Sequence, residues 1–272
     1  ARAKRIPITM CHGIRTQGDK PLTAVHFDRL MRIASEMGFS SIDYDDLDQW
    51  RRGSSALPPR PIMIDFDHPV TSMRYAVFGV MNRYGYHGNL FINTAGIEAM
   101  HEGSIPDRAE REFMTWEEIG ELVKAGWHIG AHTVHHPNLS TLSLEDSTGE
   151  KLRTELVECD ATIERRLGIK PRDFAFTGTS WSSTAERAVI ERYRFGRLWF
   201  IGSIYQVDGE QMRVAELVGV EGEDEADGGP PMAARYIERH TSTYRLPSVE
   251  IQSPLLHTEE AFRAYLEGAI NP

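Results

Sequence analysis

The sequence predicts a parallel α/β sheet or barrel, because short β-rich runs alternate with helical patterns along its 272 residues. Clusters of Asp and His follow several of the apolar runs directly. A chain of this length can form one large α/β domain, and it contains no internal repeat. We therefore expect one domain over residues 1–272, with helices packed against a mainly parallel sheet.

Strands are predicted where short apolar runs lie between turn residues. Such runs occupy residues 6–11, 62–66, 89–92, 127–131, 174–176 and 198–201. In parallel sheets and barrels, ligands gather at the carboxyl ends of the strands. Polar side chains that follow these runs should therefore lie together at one rim.

Helices are predicted where apolar residues recur every three or four positions. These patterns cover residues 27–37, 73–84, 116–125 and 152–167, and a glycine follows each of them. Thr115 and Glu118 have the spacing of a capping box, so they should begin the third of these helices. Asp45, Asp46 and Asp48 are interpreted as charges near the start of another helix.

Composition and charge argue against several classes of protein. A net charge of −10 disfavours nucleic acid or an anionic membrane surface as the main partner. Cys11 and Cys159 form neither a disulfide framework nor a thiolate metal site. No run of about 18 apolar residues is present, and the basic start of the chain is not followed by the apolar stretch of a signal peptide. The expected location is secreted or periplasmic where a leader has been removed and cytoplasmic otherwise, and the oligomeric state is not predicted.

His132 and His136 are the strongest candidates for metal ligands. They follow the apolar run 127–131, and their four-residue spacing lets both imidazoles meet one ion within a helical turn or a compact loop. His135 lies between them and is expected to point elsewhere. A catalytic metal site also needs a third protein ligand, an open position for water and a nearby base. The chain is thus predicted to be a metal-dependent hydrolase.

The segment 64–69 offers the third ligand and the base. Adjacent side chains diverge at the end of a strand, so His68 can bind the ion while Asp67 reaches its water. Three neutral imidazoles would leave the ion its full charge and favour a lower pKa for the bound water. In the alternative arrangement Asp67 is the ligand and Asp65 is the base, and His68 supports these residues without binding the ion. The residues alone leave both arrangements open.

Three further residues are predicted to serve the reaction or the substrate. His12 follows the first strand and can supply the acid that protonates the leaving group, with His257 as a weaker rival. Gly178 lies in a turn of small residues, where its N–H could help to stabilise an oxyanion. Trp181 could form a stacking platform for a sugar ring, with packing in the core or at the surface as the alternative.

Two motifs resemble those of the polysaccharide deacetylases of carbohydrate esterase family 4. Residues 61–69 align without gaps on that family's apolar strand followed by T-F-D-D-G. Residues 127–139 closely resemble its segment G-H-E-I-G-S-H-T-x-x-H-P-x-L. The order of elements is also similar from Cys11 to about Phe200, so the resemblance covers roughly three quarters of the chain.

The early position of His12 resembles the branch of the poly-N-acetylglucosamine deacetylases, in which a circular permutation moves the acid histidine to the N-terminal part of the chain. This resemblance implies a distorted (β/α) barrel of about seven strands. It also implies Asp67 as the base, His12 as the acid and zinc as the usual ion. The implied metal ligands are His68, His132 and His136.

The chain departs from that family's pattern in both regions. His68 replaces the metal-binding Asp, Pro69 replaces the neighbouring Gly, and Asp65 stands where Thr is usual. The segment that resembles F-A-Y-P-Y-G reads F-A-F-T-G-T over residues 174–179, without the Pro or the second Tyr.

The leading interpretation is an amide hydrolase that removes acetyl groups from N-acetylated glycans and that could also cleave O-acetyl esters. A second interpretation is hydrolysis of a small non-sugar amide, which a closed pocket would favour. A third is a non-catalytic carbohydrate-binding protein, suggested by the departures from the usual motifs. The expected partner is therefore an acetylated carbohydrate or a small amide, and the expected cofactor is a divalent metal, zinc.

Overall fold

The structure, a computed structural model, describes residues 1–18 and 21–272. The strands are β1 (Ile6–Cys11), β2 (Ser40–Ser41), β3 (Pro61–Asp67), β4 (Asn89–Ile92), β5 (His128–Ala131), β6 (Asp173–Ala175), β7 (Ser180–Trp181), β8 (Phe195–Arg197), β9 (Ile204–Val207), β10 (Glu210–Arg213), β11 (Tyr236–Ile237) and β12 (Val249–Glu250). The α-helices are α1 (Ala24–Glu36), α2 (Tyr44–Arg51), α3 (Phe78–Arg83), α4 (Ala95–Glu102), α5 (Trp116–Lys124), α6 (Leu139–Glu145), α7 (Glu150–Leu167), α8 (Ser183–Arg192), α9 (Val214–Val218) and α10 (Glu259–Ile270).

The main sheet follows a curled path of seven strands in the order β11-β1-β3-β4-β5-β6-β8. All neighbours from β1 to β8 are parallel, and β11 pairs with β1 in the antiparallel direction. A smaller sheet in the order β10-β9-β7 lies beside it. The predicted single-domain α/β barrel of about seven strands is confirmed.

The segment 246–251 joins the two sides of the curled sheet. Its strand β12 is parallel to β1, and the Ile251 N–H donates to the Met10 carbonyl at 2.8 Å. On the other side, the N–H groups of Leu198 and Phe200 donate to carbonyls of this segment, each at 2.7 Å. The carboxyl ends of β1, β3, β5, β6 and β8 therefore surround one rim.

Two apolar layers hold the barrel. One lies inside it and includes Met63, Phe91 and Leu246, and the larger one lies between the sheet and the helices. Side chains alternate along β3, so Asp65 and Asp67 share the inner face with Met63. The carboxylates at the end of β3 therefore enter the barrel from its wall.

Most predicted elements are present close to their predicted positions. The Thr115–Glu118 capping box forms at the start of α5, and Gly168 ends α7 in the left-handed conformation with φ 69°. The helix predicted over 73–84 is a π-helical turn (Met73–Val77) followed by α3. Among the described residues, no helix combines the length and the apolar character needed to cross a membrane.

The strand predicted over 198–201 is wrong, because the strand is Phe195–Arg197. After Arg197 the chain leaves β6 and hydrogen-bonds to the irregular segment around Leu246 and Ser248. The Trp199 N–H donates to the Tyr205 hydroxyl at 2.8 Å rather than to a strand carbonyl. The apolar run thus belongs to a tertiary junction that hydropathy alone does not distinguish from a strand.

Candidate active site

Three imidazoles meet at the rim formed by the carboxyl ends of the strands. His68 follows β3, His132 follows β5, and His136 lies in the loop after His132. One ring nitrogen from each of the three lies within 4.8 Å of the other two. The structure therefore brings together the three residues that the sequence predicts as metal ligands.

Hydrogen bonds fix the direction of two of these rings. His68 Nδ1 donates to the Asn93 side-chain oxygen at 2.8 Å, and His132 Nδ1 donates to the Ala175 carbonyl at 2.8 Å. Because Nδ1 carries the proton, Nε2 of each ring keeps its lone pair for an ion. His132 Nε2 is buried and has no hydrogen-bond partner among the described residues. A buried acceptor without a partner is costly, and a bound cation would satisfy it.

The electrostatic environment keeps these imidazoles neutral, as metal ligands must be. Burial lowers the pKa of His68 to about 4, against the opposing charge of Asp67. Burial also lowers the pKa of His132 well below its ordinary value, and that of His136 to a lesser depth. The donor set of neutral nitrogen ligands fits a divalent ion of the zinc type.

The loop that carries His132 and His136 is anchored by a carboxylate on α7. Glu155 accepts hydrogen bonds from the N–H groups of Val134 and His135, each at 2.8 Å, and from His135 Nδ1 at 2.6 Å. His135 is therefore turned to the outside, as predicted from its position between the two candidate ligands. Thr133 Oγ1 closes the loop by accepting from the His136 N–H at 3.0 Å.

The backbone at these histidines is strained. Among the described residues four non-glycines have positive φ, and three of them lie in the two motifs: His68 at 68°, Thr133 at 71° and His136 at 56°. Such conformations cost of the order of 1 kcal/mol or more each and concentrate at functional sites. The strain aims the imidazoles at one point, which regular strand geometry would not do.

Asp67 lies beside the three imidazoles and is held by a buried arginine. Its Oδ2 is 3.8 Å from His132 Nε2, and Arg197 binds both of its carboxylate oxygens. Burial alone would raise the pKa of Asp67, but the charges of Arg197, His132 and His12 and the Arg197 hydrogen bonds together outweigh it, so the pKa lies below its ordinary range. Asp67 is therefore an ionised carboxylate next to the point where the three imidazoles converge.

Asp65 lies deeper in the barrel. It accepts from the Tyr44 hydroxyl at 2.5 Å, from Asn89 Nδ2 at 2.9 Å and from Arg197 Nε at 3.1 Å. Burial raises its pKa to about 6, with Arg197 and Tyr44 opposing that rise. Its oxygens are thus occupied by three donors, whereas His12 and His132 lie within 4 Å of Asp67, which favours the arrangement with Asp67 at the reacting position.

His12 stands on the other side of Asp67. Its Nε2 is 3.9 Å from Asp67 Oδ2, and its Nδ1 binds Glu250 at 2.8 Å. Burial tends to lower the pKa of His12, but the charge and hydrogen bond of Glu250, together with the charge of Asp67, outweigh burial and raise it. Trp199 meets the His12 ring edge-on at 5.0 Å and donates from Nε1 to Glu250 at 3.0 Å. Glu250 and Trp199 thus fix the orientation of the His12 ring, and Glu250 favours its protonated form.

These groups line a cavity of about 580 Å³. Gly178 lies on its wall with φ 58°, and no described residue accepts a hydrogen bond from its N–H. A second cavity of about 560 Å³ also has His12 and Arg15 in its lining, so the two cavities lie next to each other.

The expectation that Trp181 forms a sugar platform is corrected by the structure. Trp181 is only 6% exposed and does not line the cavity. Its Nε1 donates to Glu186 at 3.1 Å, and the Arg245 guanidinium lies over its ring at 4.9 Å. The alternative of packing is what the structure shows, and Trp199 is the tryptophan at the cavity.

His257 lies away from these groups as well. It is exposed, and its carbonyl binds His26 at 2.7 Å. A further group with metal-ligand spacing contains Asp43, Asp45 and His128. There His128 Nε2 already binds Asp173 at 2.7 Å, and Arg194 forms an ion pair with Asp45 at 2.8 Å. These histidines therefore have structural partners.

Sequence reasoning missed Arg197, Glu250, Trp199 and Asn93. Glu250 stands between Val249 and Ile251, and a carboxylate inside an apolar run is a signal that could have marked it. Arg197 directly precedes the misplaced strand 198–201, so an inward-facing position was not expected. Asn93 follows a predicted strand at the same rim, which was the one available sign of its role.

A sequence model of the family described as polysaccharide deacetylase matches residues 54–194, just over half of the chain. This span contains Asp67, the three clustered imidazoles and Gly178, whereas His12 and Glu250 lie outside it. No curated protein matches the chain at a significant level.

Several solved structures have a similar fold. The deacetylase PplD of Streptococcus pyogenes, solved in complex with acetate, has a TM-score of 0.69 and 14% identity, over 99% of this chain and 100% of that one. IcaB of Ammonifex degensii has a TM-score of 0.68 and 14% identity, over 98% of each chain. A de-N-acetylase of Aggregatibacter actinomycetemcomitans has a TM-score of 0.63 and 16% identity, over 72% of this chain and 88% of that one. At such identities the likeness establishes the fold.

Proposed function

The chain belongs to the polysaccharide deacetylase family, and we propose that it hydrolyses the acetyl amide bonds of N-acetylated glycans at the rim where His12, Asp67 and the three imidazoles meet. The observation that carries the proposal is the position of Asp67 Oδ2, 3.8 Å from His132 Nε2 and 3.9 Å from His12 Nε2. An ionised carboxylate thus lies between a nitrogen ligand set and a protonatable imidazole. Hydrolysis of an amide needs an electrophile, a base and an acid close together, and these three groups would supply them.

His68, His132 and His136 would hold a divalent ion, with zinc as the expected one. When bound, such an ion polarises the acetyl carbonyl and lowers the pKa of a water molecule towards about 7. The protein supports this set through the Asn93 and Ala175 hydrogen bonds, which hold two of the rings in the tautomer that leaves Nε2 free.

Asp67 would orient the attacking water and accept its proton while the water oxygen bonds to the acetyl carbon. Arg197 keeps this carboxylate ionised and fixes its plane, since it binds both oxygens from inside the barrel. The two ionic partners are buried, so the carboxylate has little freedom to turn away. Orientation within a preorganised site contributes more to such a step than flexible proximity does.

His12 would donate a proton from Nε2 to the amine nitrogen as the carbon–nitrogen bond breaks. The Glu250 hydrogen bond at Nδ1 stabilises the doubly protonated ring and directs Nε2 towards Asp67. Acetate and the free amine are the products. The Gly178 N–H lies on the cavity wall without a described acceptor, so it could donate to the oxyanion that forms on the acetyl oxygen. The same groups would cleave an O-acetyl ester.

The shape of the cleft favours a glycan over a small amide. Two cavities of about 580 and 560 Å³ share His12 and Arg15 in their lining, so space next to the reacting group supports a substrate with more than one sugar unit. The half-buried Trp199 ring borders the first cavity and can contact an apolar sugar face. A small non-sugar amide remains the second candidate, since nothing in the site requires a sugar for the chemical step.

The test is acetate release from a panel of N-acetylated oligosaccharides by zinc-loaded protein. Asp67→Asn should reduce release by about 10²-fold or more, because the base is lost while the size of the side chain is kept. Asp65→Asn is the matched control, since Asp65 is equally buried and also binds Arg197. We expect the control to retain a larger share of activity.

If Asp65→Asn loses more acetate release than Asp67→Asn does, the role of base belongs to Asp65. Metal binding without release from any oligosaccharide would shift the proposal to a small amide substrate, and release from a small acetamide panel would then support it. Binding of acetylated oligosaccharides without turnover of either panel would leave the non-catalytic binding protein as the conclusion.

A further inference from the structure

A cavity of about 410 Å³ lies at the end of the barrel opposite to the reacting groups. Ile6 and Pro61, the first residues of β1 and β3, contribute to its lining, whereas His12 and His68 follow the last residues of these strands. The cavity is therefore separate from the cleft described above. Its remaining wall is formed mainly by the N-terminal segment and by residues 53–58 after α2.

Four cationic side chains line this cavity: Arg2, Lys4, Arg5 and Arg239. No Asp or Glu contributes to the lining in the described parts of the chain. This composition is unusual for a protein with a net charge of −10, in which acidic residues outnumber basic ones. The positive charge is thus concentrated at one place against the overall sign of the molecule.

Among the described residues, the guanidinium groups of Arg2 and Arg239 are held by carbonyls and a ring rather than by carboxylates. Arg2 Nη2 donates to the Leu57 carbonyl at 3.0 Å, and Arg239 Nη1 donates to the Trp50 carbonyl at 2.9 Å. The Arg239 guanidinium also lies 4.3 Å from the centre of the Trp50 ring. Such contacts fix the orientation of both guanidinium groups, but they leave the two charges without a counter-ion in the described part of the chain.

Arg5 is more buried and has one distant counter-ion. Its Nε is buried without a hydrogen-bond partner among residues 1–18 and 21–272, and it forms an ion pair with Glu238 Oε1 at 3.7 Å. The pKa of the neighbouring Arg51 is lowered by burial and then by the charge of Arg239. Preoriented donors with excess positive charge are the features of an anion-binding site.

We propose that this cavity binds a phosphate group carried by an organic molecule, either a sugar phosphate or a phosphodiester-linked polymer. Phosphate carries up to two charges and accepts several hydrogen bonds, which suits several guanidinium groups around one cavity better than a single carboxylate does. The volume exceeds that of a bare ion and lies in the range of small-ligand pockets. Binding here would attach the protein to a phosphate-bearing partner while the opposite rim stays open.

The experiment is calorimetric titration of the full chain with glucose 6-phosphate, with a short phosphodiester-linked oligo(glycerol phosphate) and with neutral glucose. Both phosphates should bind, glucose should not, and affinity should fall as salt rises. Tighter binding of the phosphodiester oligomer would identify the polymer as the source, and binding of glucose 6-phosphate that is at least as tight would identify a small phosphate ester. The double variant Arg5→Gln/Arg239→Gln should weaken binding by at least about tenfold.

The matched control is Arg29→Gln/Arg263→Gln, which removes the same charge from exposed helix positions outside the cavity. It should bind as the unchanged chain does. Because Arg5 and Arg239 also pack on aromatic rings, folding is checked by circular dichroism, and Lys4→Gln provides a milder second variant at an exposed side chain. Absence of phosphate binding, or equal weakening in the control variant, would overturn the proposal. Acetate release should be unchanged in all of these variants.

Discussion

The buried guanidinium of Arg197 binds both carboxylate oxygens of Asp67. Nη1 lies 3.2 Å from Oδ2, Nη2 also bonds to Oδ1, and Nε of the same side chain binds Asp65 at 3.1 Å. Arg197 is fully buried and Asp67 is 1% exposed, so neither charge is solvated by bulk water. The charge state of Asp67 at the end of β3 therefore depends on a residue of β8, on the other side of the barrel.

We predict that Arg197→Met destabilises the fold by about 3–5 kcal/mol, because two carboxylates would remain buried without their cation. The folded-state pKa of Asp67 lies below its ordinary 3.8. Its stabilisation is thus complete above that pH and is lost as the pH falls through the lowered pKa. Urea unfolding of the unchanged chain and the variant at several pH values measures both effects. The double variant Arg197→Met/Asp65→Asn should recover part of the loss, and equal stability of single variant and unchanged chain would contradict the prediction.

Glu250→Gln should move the alkaline limb of the pH–activity profile to lower pH. Burial lowers the pKa of His12, and Glu250 is the main group that raises it again. If protonated His12 is the acid, activity is lost as the pH rises through the pKa of His12. A lower pKa therefore moves this loss to a lower pH. We expect activity at pH 8 to fall by roughly tenfold, with a smaller change at pH 6.

The control for this profile is Trp199→Phe. It removes the Nε1 hydrogen bond to Glu250 and keeps both the carboxylate and an aromatic ring beside His12. Its alkaline limb should stay closer to that of the unchanged chain. A profile of Glu250→Gln that superimposes on that of the unchanged chain would remove His12 from the role of acid.

The sequence predicted the rim because local signals there are strong. Apolar runs before Asp67 and His132 mark buried strands, and parallel strands bring their carboxyl ends together. His68 directly follows β3, and His136 lies in the short loop after β5, so their proximity follows from topology. The positive φ at both of them does not follow from composition, since histidine rarely adopts that conformation.

The supporting residues were less predictable because they belong to long-range contacts. Arg197 reaches Asp67 across 130 positions in sequence, and Glu250 reaches His12 across 238. Nothing local distinguishes a buried arginine that pairs with two carboxylates from an exposed one near a strand. The sequence also did not distinguish Trp199 from Trp181, because Trp199 is placed at the cavity by the long-range bridges of its neighbours Arg197 and Phe200 to Leu246 and Val249.

His132→Ala should abolish both zinc binding and acetate release. His132 is fully buried, and its unpaired Nε2 faces the other two imidazoles. Removing one of three ligands leaves a set too small for a stable site. Metal content after dialysis, measured by mass spectrometry, and acetate release are the two readouts. His135→Ala is the control, because His135 is exposed and binds Glu155. Stoichiometric zinc in His132→Ala would exclude His132 as a ligand.

Trp199→Ala should raise the KM for acetylated oligosaccharides by about tenfold, through loss of an aromatic contact worth roughly 1.5 kcal/mol. The half-buried ring borders the cavity and touches His12, so kcat should fall less than kcat/KM. Trp181→Phe tests the alternative position: it loses the Glu186 hydrogen bond and should lower thermal stability with little change in KM. Steady-state kinetics and thermal unfolding of both variants separate the two roles. A raised KM in Trp181→Phe alone would return the sugar contact to Trp181 and show that the cleft at Trp199 does not hold the substrate.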